Sequence, residues 1–192
     1  MLRSTLILFF SYVLSAVPAQ AADNIEGLAQ SCNGCHGMKG VSSSPRTPSI
    51  AGMSAGYLKM TLLQLKSGER HSTVMGAILN NRTDEEIAAL AEYFSKQTWK
   101  SAKQDLAPAM VKKGQELAAS RNCSSCHLDN GRDTSKNMPR LAGQWAYVLQ
   151  TTFGQFHNPY MNMVMPKEMK KALAGLSLED IKALAAFYAS QQ

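Results

Sequence analysis

Apolar residues recur at helical spacing in short blocks along this chain, and the blocks come in two sets. Tyr57, Leu58, Thr61, Leu62 and Leu65 mark one stripe, which stops at Lys66-Ser67-Gly68, where the glycine is a usual residue just past a helix end. Thr83 stands as an N-cap three residues ahead of Glu86, and Ile87, Leu90, Ala91 and Phe94 form the stripe behind them, the arrangement of a capping box. Asn24 to Ser31 reads as a shorter helix ahead of both. From Gln97 to Pro108 the pattern lapses into Lys, Gln, Ser and Ala around Trp99, as a linker does. Helical spacing resumes over Val111 to Ser120, and Ser177-Leu178-Glu179-Asp180 is another N-cap sequence, ahead of Ile181 and Leu184. Between them, Pro166 can open a short helix through Leu173 that turns Met169 and Leu173 inward.

The two sets are copies. Pro48, Ala51, Gly52, Leu58 and Gln64 return 91 residues on as Pro139, Ala142, Gly143, Leu149 and Gln155, and Ile87 and Leu90 return 94 residues on as Ile181 and Leu184. A net insertion of three residues therefore precedes the last helix of the second copy. The expected organisation is all-α: one domain over residues 23–98, a linker over 99–108 and a second domain over 109–192, with residues 1–22 set apart. Domains of about 80 residues bury too little surface to be robust on peptide alone.

What completes each core is suggested by Cys32-Asn33-Gly34-Cys35-His36, which returns as Cys123-Ser124-Ser125-Cys126-His127 and uses all 4 cysteines of the chain. Two thiols three positions apart followed at once by an imidazole are the attachment pattern of a c-type haem. Cys32, Cys35, Cys123 and Cys126 would form the thioether bonds, and His36 and His127 would ligate iron on the proximal side. A zinc site drawn from both pairs is the main rival, since such donors are ordinary zinc ligands. It does not account for a His directly after both pairs.

The distal ligands are expected to be methionines, because a thioether is a soft neutral ligand that raises the potential. In the first unit Met75 lies in the loop between the two stripes, whereas Met60 reads as a core residue, Met53 is a further candidate and Met38 is too near His36. In the second unit Met161, Met163, Met165 and Met169 crowd one segment. Met165, in a loop before Pro166, is the expected ligand, with Met169 as the alternative. His71 and His157 offer bis-histidine ligation as a competing arrangement. Pro48 and Pro139, each following its haem word, can turn a carbonyl toward the His ring N–H and fix its tautomer.

The start of the chain bears on location. Met1-Leu2-Arg3, the apolar run Leu6 to Val17 and the small residues Ala19-Gln20-Ala21 form a secretory signal, cut near Ala21 or Ala22 and leading to the periplasm in a bacterium. The run falls short of the ~20 residues that span a bilayer, so no transmembrane anchor is expected. The formal charge is +6, and residues 23–98 are balanced at 7 basic and 7 acidic side chains, against 12 and 7 in residues 99–192. Haem propionates would offset much of that excess, so nucleic-acid binding is not expected; the asymmetry can steer a docking partner.

With two protein ligands on each iron, no site is open to substrate, and the implied activity is outer-sphere electron transfer. The tandem plan resembles the dihaem cytochromes c that donate electrons to bacterial terminal oxidases. Lys66-Ser67-Gly68-Glu69, Ser72-Thr73-Val74-Met75-Gly76, Lys96-Gln97-Thr98, Leu141-Ala142-Gly143-Gln144-Trp145 and the ending Phe187-Tyr188-Ala189-Ser190-Gln191-Gln192 are similar, more selectively, to the cytochrome subunit of flavocytochrome c sulfide dehydrogenase. The methionine-rich segment Tyr160 to Met169 departs from that family. The resemblance implies two tandem class I cytochrome c domains, each enclosing one covalently bound haem c. It also implies an FAD-containing sulfide dehydrogenase subunit as donor and another cytochrome or an oxidase as acceptor. On that reading sulfide is not oxidised by residues of this chain, which is no enzyme by itself. A free-standing carrier feeding a terminal oxidase is the alternative, and a dihaem peroxidase would need one iron site that opens.

Overall fold

A computed structural model describes residues 24–158 and 164–192, and every regular element among them is helical. The first unit contains α1 (Ile25–His36), α2 (Ala55–Ser67), α3 (Thr73–Leu79) and α4 (Asp84–Ser95). The second contains α5 (Pro108–Ser120), the single turn α6 (Leu128–Gly131), α7 (Ala146–His157), α8 (Lys167–Leu173) and α9 (Leu178–Ser190). Residues 1–22, read above as a secretory signal, and Tyr160, Met161 and Met163 lie outside the described residues.

The predicted stops and starts follow their side chains. Gly68 ends α2 in the left-handed conformation at φ +82°, which only glycine adopts freely. Capping boxes open α4 at Thr83 and Glu86 and α9 at Ser177 and Asp180. Three expectations change. The leading helix does not stop at Ser31 but runs through the haem word to His36, because Asn24 caps it by accepting from Gly27 N at 3.2 Å and no residue breaks it before Gly37 at φ +76°. The loop holding Met75 is the helix α3, started by Ser72, whose side chain accepts from Met75 N at 3.2 Å. Met60 is not in the core but 48% exposed; it lies roughly 200° round α2 from the buried Leu58.

In the first unit Ala29, Met53, Leu58, Leu90, Ala91 and Phe94 form a small buried cluster. The second unit has a larger one, including Leu149, Phe153, Ile181, Leu184, Phe187 and Tyr188. There α5 crosses α9 so closely at Gly114 that a Cβ would strike the carbonyl of Ala183.

The duplication extends to individual hydrogen bonds. The Gly40 carbonyl accepts from Ile50 N at 2.8 Å and Ala51 N at 3.1 Å, and the Gly131 carbonyl accepts from Leu141 N and Ala142 N at the same two distances. Both glycines sit at φ +79° with an aromatic ring, Phe94 or Tyr188, against the place of the missing Cβ. These turns set the Pro48 and Pro139 segments beside their haem words.

Candidate functional site

In the first unit the haem word occupies the last turns of α1, so Cys32 and Cys35 lie three positions apart on neighbouring turns. Cys32 is packed in part against the core and burial pushes its thiol pKa up, while Cys35 is exposed. His36 is only 8% exposed. Its Nδ1 donates to the Pro48 carbonyl at 2.8 Å, and since a carbonyl can only accept, the lone pair is left on Nε2. Burial holds the imidazole below its usual pKa, the Pro48 bond offsetting part of that shift. The ring is therefore neutral and oriented, the state in which histidine binds a metal. Pro48 thus fixes the tautomer, with its own carbonyl.

The second word repeats the two cysteines and the histidine on a different backbone. Helix α5 ends at Ser120, Asn122 turns left-handed at φ +53°, and Cys123–Ser125 is a single 3-10 turn. Asparagine tolerates that conformation better than most residues. His127 also stands below its usual pKa through burial, but its Nδ1 is buried without a hydrogen-bond partner, so Pro139 does not repeat what Pro48 does. The ring meets Tyr188 edge-on at 6.2 Å between centroids. Cys123 packs against the cluster that holds Tyr188, and burial raises the pKa of both the Cys123 thiol and the Tyr188 hydroxyl.

Among the methionines, Met75 is half-buried on α3 and Met165 is half-buried in the extended stretch before α8. Met169 packs against the core of the second unit, and Met53 is 7% exposed within that of the first. Met38 is exposed at 74%. His71 lies exposed in the loop before α3, and His157 is the half-buried last residue of α7.

The four thiols are free, and among the described residues no three His, Cys, Asp or Glu side chains come together as a metal site. That disfavours zinc. Each unit instead offers a thiol pair beside one imidazole, buried at His36 and half-buried at His127, that burial holds below its usual pKa, and at His127 an orphaned ring nitrogen. These residues fit a haem attached through the cysteines and ligated by histidine.

A buried polar seam that joins the units was not foreseen from the sequence. Gln144, 2% exposed, accepts from Ser49 N at 3.1 Å and donates to Ser49 O at 2.9 Å. Trp145 Nε1 donates to Ser42 O at 3.2 Å, and the Arg140 guanidinium lies over the Trp99 ring at 5.2 Å. A lone glutamine carries no sequence signal of a partner 95 residues away. Tyr188 was equally unannounced, as one aromatic on an apolar stripe.

The cytochrome c family model matches residues 111–192. Cytochrome c4 of Pseudomonas aeruginosa is 29% identical over 185 residues, covering 91% of each chain. Cytochrome c-553 of Helicobacter pylori is 34% identical over 82 residues, which is 42% of this chain and 85% of that one. The cytochrome subunit of sulfide dehydrogenase from Chlorobaculum tepidum is 51% identical over 69 residues, 36% of this chain and 62% of its own. Among solved structures, reduced recombinant cytochrome c4 from Pseudomonas stutzeri superposes with a TM-score of 0.78 at 27% identity, over 89% of this chain and 98% of that one.

Proposed function

The chain belongs to the cytochrome c family, as an electron-transfer protein of the dihaem cytochrome c4 kind with two covalently bound haems c, and from that premise we propose that it is the electron-accepting subunit of a sulfide-oxidising flavoprotein. Residues 1–22 direct it to the periplasm, where domains 23–98 and 109–192, joined by 99–108, each hold one haem. Cys32 and Cys35, and Cys123 and Cys126, form the thioether bonds. His36 and His127 are the proximal ligands, and Met75 and Met165 the distal ones.

Each bound haem supplies a one-electron ferric/ferrous couple. The chain's own part is to hold that couple still. The Pro48 carbonyl keeps the His36 ring in one tautomer and orientation, and the apolar clusters to which α4 and α9 contribute would shield a bound haem from water. A ligand set that does not rearrange between oxidation states keeps the reorganisation cost of transfer small. The basic second half, 12 basic to 7 acidic side chains over 99–192, gives an acidic partner a preferred side.

The observation that carries the partner is the local identity of 51% with a sulfide dehydrogenase cytochrome subunit. A free-standing carrier feeding a terminal oxidase is the second reading, favoured by whole-length similarity to cytochrome c4. Purification from the native cell separates them. The subunit reading expects co-elution with a flavoprotein and reduction of the haems by sulfide; elution alone, without flavin and unreduced by sulfide in extract, sinks it.

A further inference from the structure

We propose that Gln144, in the second unit, is a positioning residue for the proximal histidine of the first, and that it lowers the electron affinity of the first haem through the Pro48–Ser49 peptide. The proposal rests on the reading above that His36 ligates that haem.

One amide carries both contacts. Its carbonyl, from Pro48, accepts from His36 Nδ1 at 2.8 Å, and its N–H, from Ser49, donates to Gln144 Oε1 at 3.1 Å. A hydrogen bond given by an amide N–H shifts electron density to its carbonyl and makes that oxygen a better acceptor, an effect that low dielectric preserves. Gln144 and Ser49 are each 2% exposed. A stronger acceptor at Pro48 draws on the His36 ring proton, and the imidazole becomes a better donor to iron, as hydrogen-bonded partners of metal-bound histidines do. The ferric state gains.

Gln144 is fixed for this task. Its Nε2 donates to Ser49 O at 2.9 Å, its Oε1 also accepts from Trp145 N at 3.1 Å, and Gln104 Nε2 donates to its backbone carbonyl at 3.0 Å. The side chain therefore cannot swing away without losing several bonds at once. The reverse link is absent: Met53 stands at the equivalent position of the first unit, 91 residues earlier, and His127 Nδ1 has no partner. The second unit thus acts on the first haem alone, making it the easier of the two to oxidise, so that an electron entering there passes on to the second.

Gln144→Met tests this in the full-length holoprotein, since methionine already fills the counterpart position. Redox titration should show one of two one-electron waves moving up, with the oxidation equilibrium of that haem changed about threefold, or about 30 mV at 59 mV per tenfold. The other wave should stay. In the ferrous protein the His36 ring N–H proton resonance should move with it. Trp145→Phe is the control, because it removes the bond to Ser42 O from the same seam without touching the Pro48–Ser49 amide; it should move neither wave. Gln144→Glu keeps an acceptor for Ser49 N–H and should leave the wave in place or lower it. No shift in Gln144→Met, an equal shift in Trp145→Phe, or an upward shift in Gln144→Glu would overturn the proposal. Should the wild-type His36 proton lack the ring-current displacement of a haem ligand, the ligand assignment itself fails, and the proposal with it.

Discussion

The two units carry the same five-position word on unlike backbones. In the first, α1 runs through the word and His36 is tied to Pro48; in the second, α5 ends before it, Asn122 turns left-handed, and His127 faces Tyr188 with a ring nitrogen unpaired. Their cores differ too, the second gaining the close α5–α9 crossing at Gly114 and the larger buried cluster. Duplication has preserved the attachment chemistry and the Gly40 and Gly131 turns while the surroundings of the two histidines diverged. A pair of sites with equal surroundings would have equal potentials and no preferred direction. Unequal surroundings are what a directed relay requires.

The comparison breaks most visibly if the haems are removed one at a time. Replacing Cys32 and Cys35 by alanine should cost one haem by mass and also unfold the first unit, whose small peptide cluster does not stand alone. Replacing Cys123 and Cys126 should cost one haem yet leave much of the α5–α9 pair helical by circular dichroism. Equal collapse of both would show that the larger cluster confers no independence.

Next come the methionines. Met75→Ala and Met165→Ala should each remove about half of the red-end sulfur-to-ferric-iron absorption, with little loss of fold. Met169→Ala should instead cost about 2 kcal/mol in denaturant unfolding, as a core truncation, and keep the band whole. Loss of the band in Met169→Ala would reassign the second distal ligand.

Smaller effects separate the two leading helices. Gly114→Ala forces a Cβ into the Ala183 carbonyl and should destabilise the second unit by about 1–3 kcal/mol. Gly27→Ala meets only the flexible Asn24 side chain, and the cap it disturbs is offset by the better helix propensity of alanine, for a net change within about 0.5 kcal/mol. Chemical denaturation of each variant measures both.

The smallest effect is electrostatic. Asp180 is held well below the usual carboxylate range by hydrogen bonds from Lys113, at 2.8 Å, and from Ser177. A depressed folded-state pKa means that its contribution is present above the unfolded value of about 3.9 and is lost as the pH falls below it. Asp180→Asn should therefore flatten the acid side of the stability curve of the second unit, and melts from pH 5 downward would reveal it. An unchanged acid limb would place the pH dependence elsewhere.

Much of this was legible in the sequence. The helices announced themselves through Thr83 with Glu86, Ser177 with Asp180, and Gly68, since caps and stops are set by local chemistry. The haem words announced two covalent haems, and the offsets of 91 and 94 residues announced the duplication. The α3 helix around Met75 was missed because its start depends on a single serine cap, Ser72, and its stripe is too short to show a period. The exposure of Met60 was missed because a methionine fits a buried or an open face equally well. Gln144 and Tyr188 escaped for a different reason: what they touch is set by tertiary packing, and no spacing along the chain records it.

The central claim, two haems each ligated by histidine and methionine in one relay, is tested most directly by redox titration of the oxidised holoprotein while the red-end sulfur-to-iron band is followed. Two one-electron waves of equal amplitude are predicted, with the band bleaching across both. A band that is absent, or that bleaches in only one of the waves, would contradict it.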